Sequence, residues 1–346
     1  MMRQKEKKSN AWLFSLFSAC LLLLLTACGQ QGNTTQPNAT ENKQESSDKK
    51  FKVGIVQIVE HPALDAAREG FIAQMAKNGF EKDKNVEYDI QSAQNSMDTA
   101  ISIAQKFQGD KVDLILAIAT PTAQAAAQTT KDIPVLFTAV TDPVAAQLVK
   151  SMEKPGSNLT GTTDMNPVEE QLALIKEMKP EAKSVGVIYN SGEVNSKVQV
   201  DAAKAASAKL GLEIHEAAIT SPTEVKQAAE SMIGKVDAIY VPTDNMVVSS
   251  IAAVLKVAED QKIPVIAAEE NSVKSGAIAT FGIDYGKLGE QTADMAAKVL
   301  KGEAKPADMA VEKQSNMKLT VNLTAAEKMG VKLPQALIDK ADEVIK

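Results

Sequence analysis

Aromatic residues make up only 4% of this 346-residue chain, with a single tryptophan, Trp12, and two histidines. These scarcities close off whole classes of function. His61 and His215 are far apart, and no His-x-x-x-His pair exists, so the common histidine-rich metal site has no ligands. No Gly-x-Gly-x-x-Gly follows the first apolar run and no phosphate-binding P-loop occurs. No Gly-x-Ser-x-Gly elbow presents a nucleophile. Catalysis has little to stand on, and neither a cofactor nor a metal is expected. Basic charge is short as well. There are 38 Lys and Arg against 44 Asp and Glu, a net charge of -6, with no clustered basic face, which argues against nucleic acid as a partner.

The first 27 residues read as a targeting segment. Arg3, Lys5, Lys7 and Lys8 precede a mostly apolar stretch, 11–25. That stretch is short for a bilayer span, which needs about 20 residues. Leu25-Thr26-Ala27-Cys28-Gly29 resembles a bacterial lipobox, in which the cysteine is lipidated and the chain is cut just before it. Cleavage there removes four cations and one acid, taking the net charge to -9 (-6 less 3), and removes Trp12 and Cys20. The remaining Cys28 has no partner for an internal disulfide, and thiolate zinc is excluded. Residues 28–50 are then a lipidated cysteine and a polar tether, too poor in apolar residues to offset the entropy of ordering. The expected location is the outer face of the cell membrane, held by lipid.

The rest of the chain says the same thing twice. Lys111-Val112-Asp113-Leu114-Ile115-Leu116-Ala117, Thr120-Pro121-Thr122 and Asp132-Ile133-Pro134-Val135 are echoed in order. The echoes are Lys235-Val236-Asp237-Ala238-Ile239-Tyr240-Val241, Thr243-Asp244-Asn245 and Lys262-Ile263-Pro264-Val265. Each copy reads as buried strand, polar turn, helix, buried strand. Helical spacing predicts helices over 65–78, 98–108, 123–130 and a short one over 144–152. In the second half it predicts 196–210, 223–233, 246–261 and 285–301. Strands alternating with helices give an α/β protein with parallel sheets covered on both faces. Two such lobes in one chain create a cleft, and ligands in these folds sit beyond the carboxyl ends of the strands.

Those strand ends supply the candidate site. Gln57, His61, Thr120, Thr122, Asp142, Asn190, Thr243, Asp244, Asn245 and Asp284 all fall at or just after predicted strands. Thr120 and Thr122 open a helix whose free N–H groups and dipole suit a carboxylate. Asp142, Asp244 and Asp284 suit an ammonium, and each equally suits the capping of a helix. A zwitterion, meaning an amino acid, satisfies both ends. His61 is either an exposed loop residue or a ring against a planar ligand. Tyr189, Tyr240 and Tyr285 are the other planar groups near strand ends.

Four stretches carry a resemblance. They are Val59-Glu60-His61-Pro62-Ala63-Leu64-Asp65-Ala66-Ala67-Arg68-Glu69-Gly70-Phe71, Ala119-Thr120-Pro121-Thr122-Ala123-Gln124, Ala139-Val140-Thr141-Asp142-Pro143 and Val241-Pro242-Thr243-Asp244-Asn245. Over about residues 51–303 the chain resembles substrate-binding lipoproteins of ABC importers, in the family that includes tryptophan/tyrosine-binding proteins of Gram-positive bacteria. The resemblance implies a type I periplasmic-binding-protein fold: two Rossmann-like α/β lobes joined by a three-strand hinge. It implies crossings near 162–167, 279–284 and 303–308, lobe 1 as 51–163 plus 284–304, and lobe 2 as 164–283 plus 305–346. It also implies an aromatic amino acid as ligand, ABC permease subunits as partners, and a monomer. By motif it carries His61, Thr120, Thr122, Asp142, Thr243, Asp244 and Asn245 into the pocket.

Rival readings remain. The ligand is alternatively a branched-chain amino acid, a nucleoside or a sugar, although a chain without tryptophan after cleavage offers a sugar few stacking platforms. A cytoplasmic ligand-sensing repressor core shares the fold, but it needs a helix-turn-helix where this chain has its lipobox.

Overall fold

The continuous apolar runs become strands buried on both faces. In the computed structural model, which describes residues 50–315 and 317–346, they form two sheets. The leader, Cys28 and the tether lie outside the described residues.

The first sheet contains β1 (Phe51–Gln57), β2 (Val86–Ser92), β3 (Leu114–Ile118), β4 (Val135–Val140), β5 (Leu159–Thr163) and the short β11 (Glu312–Lys313), in the order β2-β1-β3-β4-β5-β11. Every pair in it is parallel. The second contains β6 (Ser184–Asn190), β7 (Glu213–Ile219), β8 (Ala238–Val241), β9 (Val265–Ala267), β10 (Ala279–Gly282), β12 (Lys318–Asn322) and β13 (Glu343–Ile345). Its order is β7-β6-β8-β9-β10-β12-β13, and only β10 and β12 run antiparallel. The core of each sheet therefore repeats one strand order, 2-1-3-4-5, and this is the repeat visible in the sequence. β3, β4, β8 and β9 have no exposed residue, as central parallel strands covered on both faces should not. The edge strands β2 and β7 are only partly buried and carry exposed residues.

The helices are α1 (Pro62–Lys77), α2 (Met97–Gly109), α3 (Thr120–Thr129), α4 (Val168–Met178), α5 (Val194–Leu210), α6 (Val225–Ser231), α7 (Asn245–Ser249), α8 (Ile251–Gln261), α9 (Glu270–Lys274), α10 (Tyr285–Leu300), α11 (Leu323–Lys328) and α12 (Gln335–Lys340). Two apolar cores result, one per sheet. α1 and α10 meet backbone to backbone. A Cβ on Gly289 would lie 1.9 Å from the Ala67 carbonyl oxygen, and one on Gly70 would lie 2.1 Å from that of Gly286.

Two helical expectations fail for local reasons. Residues 144–152 form turns, not a helix. There the Asp142 carboxylate accepts from the N–H groups of Val144 and Ala145, and Gln147 takes a left-handed φ of 60° that ends any helical run. The helix expected over 246–261 is broken into α7 and α8 at Ser250, whose φ of -113° and ψ of 17° are not helical.

The chain passes between the sheets after Thr163, after Gly282 and between Lys313 and Lys318. The last two passages are tied together. The Asp284 N–H donates to Gln314 Oε1, and Gln314 Nε2 donates back to the Asp284 carbonyl, each at 2.9 Å.

Candidate ligand-binding cleft

In a 2-1-3-4-5 sheet the order reverses between β1 and β3, and loops leaving those two strands diverge to leave a crevice. Here that happens twice, and the two crevices face each other. β1 delivers His61 and the start of α1; β3 delivers Ala119 and α3. In the other lobe β6 delivers Asn190, Glu193 and α5, while β8 delivers Thr243, Asp244 and α7.

A narrow space lies between the lobes, about 10 Å³, close to the room one water needs. His61, Leu64, Ala139, Asp164 and Tyr285 line it from one side; Asn195, Thr243, Asp244, Asn245 and Glu269 line it from the other. No lysine or arginine is among its lining residues. A more open space of about 280 Å³ separates Ile58, Met97 and Pro121 from Asn190, Glu193 and Met246. Direct links cross the cleft: Thr141 Oγ1 to Thr243 Oγ1 at 3.4 Å, and Asn95 Nδ2 to Ser249 Oγ at 3.4 Å.

His61 is not an exposed loop residue. It is buried as the N-cap of α1, where its Nδ1 accepts from the Leu64 N–H at 3.5 Å. Burial holds its pKa down to about 4, partly opposed by Asp65 and by a hydrogen bond with Asn245 of the other lobe. With Nδ1 occupied as an acceptor, the ring's other nitrogen carries the proton toward Asn245. The Asn245 amide in turn donates to Glu193. Burial, then the nearby Asp244 charge, pushes Glu193 up to about 7. One chain of polar contacts thus runs from a neutral imidazole in lobe 1 to a weakly acidic carboxyl in lobe 2.

Asp244 is fully buried and capped from all sides. It accepts from the N–H groups of Asn190 and Val247 and from Ser196 Oγ, and burial raises its pKa. Thr243 is bracketed by Gln199, whose Oε1 accepts the Thr243 N–H at 3.0 Å and whose Nε2 donates to the hydroxyl. Asn190 holds Glu193 through its amide at 3.1 Å.

α3 begins after Ala119, which has a left-handed φ of 85° and supplies no side-chain cap. Ala139, at the end of the neighbouring β4, also has a left-handed φ, 58°. Backbone held in this region costs free energy and tends to be found at binding sites. The buried Thr120 hydroxyl has no partner, although Thr120 lines neither space; Pro121 and Gln124 of this helix line the larger one. Thr122 differs: its hydroxyl donates back to the carbonyls of Ile118 and Ala119.

The other predicted residues lie apart from the small space. Gln57 binds within lobe 1, donating to Val59 O and Asp65 and accepting from Arg68. Asp142 caps the 143–149 turn, and Asp284 caps α10 through the Lys287 N–H at 3.1 Å. Of the lining residues beyond the predicted set, three carry an acid or amide group. Asp164 follows β5 at a crossing and carries no motif; only its place after a strand end hints at it. Glu269 caps α9, and Asn195 opens α5. Of the tyrosines, Tyr285 reaches the cleft. Tyr240 is core, donating to Gln171 at 2.7 Å, and Tyr189 donates to Glu216 at the surface.

Two α/β lobes with three passages between them and a polar cleft at both switch points make this a type I periplasmic-binding-protein fold. The chain belongs to the family described as ABC transporter substrate binding protein, whose model matches residues 52–345. It is the extracytoplasmic solute receptor of an ABC importer, with a small-molecule ligand, a membrane permease as partner, and no catalytic role.

The tyrosine-binding protein of Clostridioides difficile (strain R20291) is 51% identical over 281 residues, 81% of each chain. A structure of an ABC domain from Streptococcus pneumonia in complex with L-Trp is 37% identical with a TM-score of 0.83, covering 86% of this chain and 100% of that one. A ligand-free, open structure of a substrate binding protein from Clostridium difficile is 50% identical, with coverage of 86% and 99%. Its TM-score is only 0.65 despite the higher identity. The present arrangement therefore matches the ligand-bound relative in shape better than the open one, in keeping with the nearly filled space between its lobes.

Proposed function

We propose that the ligand is an aromatic amino acid, tyrosine or tryptophan, captured by closure of the two lobes. The observation that carries this is the character of the cleft. Buried carboxylates and amides line it without a single cationic side chain, so the solute must bring the positive charge. The start of α3, which has no side-chain cap and whose Pro121 lines the larger space, offers the complementary site for a carboxylate. His61, Thr243, Asp244 and Asn245 form the inner wall in this reading. The tyrosine-binding relative and the L-Trp complex support an aromatic side chain.

The mechanism is a binding equilibrium. A space of about 10 Å³ cannot admit an amino acid, so entry requires the lobes to part. The three passages near 164–167, 283–284 and 314–315 act as the hinge. Ligand then favours closure only through contacts made with both lobes at once. The closed monomer docks on its permease, whose ATPase supplies the work. Cys28 carries the lipid that keeps the receptor on the outer membrane face, and its replacement by serine should release the protein to the medium.

Calorimetry of the purified chain against L-tyrosine, L-tryptophan, L-phenylalanine and L-leucine tests the ligand. Saturable heat with the aromatic compounds is expected. Saturable binding of a nucleoside or sugar, with none of any amino acid, refutes the reading.

A further inference from the structure

Four buried acids stand at or beside the cleft, and they differ in how much hydrogen-bonding capacity is already used. A carboxylate offers about four lone-pair sites. Asp244 has accepted two donors on Oδ2 and one on Oδ1. Glu269 has accepted the N–H and hydroxyl of Ser272 on one oxygen and the Asn271 N–H on the other. Glu193 holds three amides. Asp164 alone has one donor per oxygen: Thr141 Oγ1 at 2.8 Å on Oδ1 and the Tyr285 hydroxyl at 2.6 Å on Oδ2. It is buried and lines the inner space, and burial raises its pKa despite those two bonds and a weaker one from its own backbone N–H.

A second observation comes from the opposite wall. Asn195 is 3% exposed and lines the same space, and its carbonyl oxygen has no partner. Its orientation is fixed, because its amide nitrogen donates to Glu193 at 2.9 Å and to the Thr243 carbonyl at 3.1 Å. A buried acceptor without a donor carries a desolvation penalty that a ligand N–H would relieve.

We propose that Asp164 and the Asn195 carbonyl together form the subsite for the ligand's ammonium group, and that Asp244 does not. The assignment rests on the amino-acid reading above. An ammonium has three donors, enough to reach the open lone pairs of Asp164 on the lobe 1 side and the orphan oxygen of Asn195 in lobe 2. Asp164 follows β5 at the first crossing, and Asn195 stands at the start of α5. The ammonium therefore joins the lobes, which is the differential contact that closure needs. Asp244 keeps a structural task, holding the starts of α5 and α7.

The test uses the whole chain and a pair of probes, L-tyrosine and 3-(4-hydroxyphenyl)propanoate, which lacks the ammonium. Wild-type protein is expected to prefer tyrosine strongly. Asp164→Asn should lower tyrosine affinity by about 100-fold, as for one partner of a buried charge pair, while leaving the deamino acid within about threefold. Asn195→Ala should lower tyrosine affinity by about tenfold with the same selectivity. Asp244→Asn should move both probes alike. The proposal is overturned if Asp164→Asn keeps the wild-type preference for tyrosine, or if it weakens both probes equally. Should Asp164→Asn not fold, an unchanged preference in Asn195→Ala overturns the proposal by the same readout. A wild-type protein that binds no amino acid refutes the amino-acid reading itself, and the subsite falls with it.

Discussion

His61 should make the folded protein sensitive to mild acid. Its pKa is held at about 4 in the fold against 6.5 for the free side chain. Between those values the unfolded chain binds the proton and the folded one does not, so stability rises with pH across the window. The His61 contribution is complete above about pH 6.5 and is lost as pH falls toward 4. The shift corresponds to about 3 kcal/mol over the whole window, and about 2 kcal/mol is already gone at pH 5. That is a sizeable part of a typical stability of about 5–15 kcal/mol. His61→Asn is the informative variant. Asparagine is a good N-cap and can accept the Leu64 N–H in place of Nδ1, but it does not titrate. Urea denaturation at pH 7.5 and at pH 5 should show wild type losing about 2 kcal/mol more than His61→Asn over that interval. Parallel losses in the two proteins would mean that His61 is already solvated in the folded state, and the argument from its burial would be wrong.

Glu193 should act in the opposite sense. Its folded pKa of about 7 lies above the ordinary 4.5, so its stabilising contribution is present below pH 4.5 and is lost as pH rises to 7. Glu193→Gln should therefore gain on wild type by up to about 3 kcal/mol between pH 4.5 and 7.5, read by the same urea titrations. Asp244→Ala strips the N-cap of α7 and leaves the buried N–H groups of Asn190 and Val247 without an acceptor. A loss of about 3 kcal/mol is expected, with Asp244→Asn markedly milder; a loss under about 1 kcal/mol in Asp244→Ala would show that water replaces the carboxylate. Gly289→Ala adds a methyl 1.9 Å from the Ala67 carbonyl oxygen. Forcing α1 and α10 apart should cost about 1–3 kcal/mol in spite of alanine's better helix propensity, and thermal unfolding should show the midpoint fall rather than rise.

The repeat in the sequence determined the architecture. Two copies of strand, turn, helix, strand with uninterrupted apolar strands can only be buried as parallel sheets, and 2-1-3-4-5 order appears in both. Local chemistry also placed residues at the cleft, because residues that end a strand and open a helix at a switch point face the crevice. His61, Thr243, Asp244 and Asn245 line the space between the lobes for that reason. The same chemistry does not separate the cleft from capping at Asp142 and Asp284, which sit at equivalent local positions and whose carboxylates accept from the N–H groups of the following turn or helix. It misled at 144–152 and at Ser250, where a left-handed residue and a non-helical dihedral break runs whose apolar spacing is helical.

What only the tertiary structure decided is which polar groups remain unsatisfied after folding. Asp164 and Asn195 carry no motif that sets them apart, since each is one polar residue among many at a strand end or helix start. Their surroundings depend on donors and acceptors brought from 23 to 121 residues away: Thr141 and Tyr285 for one, Thr243 for the other. The pKa of His61 has the same origin. Burial in a closed interface, not the residue or its neighbours in sequence, sets it, because desolvation depends on everything packed around the ring.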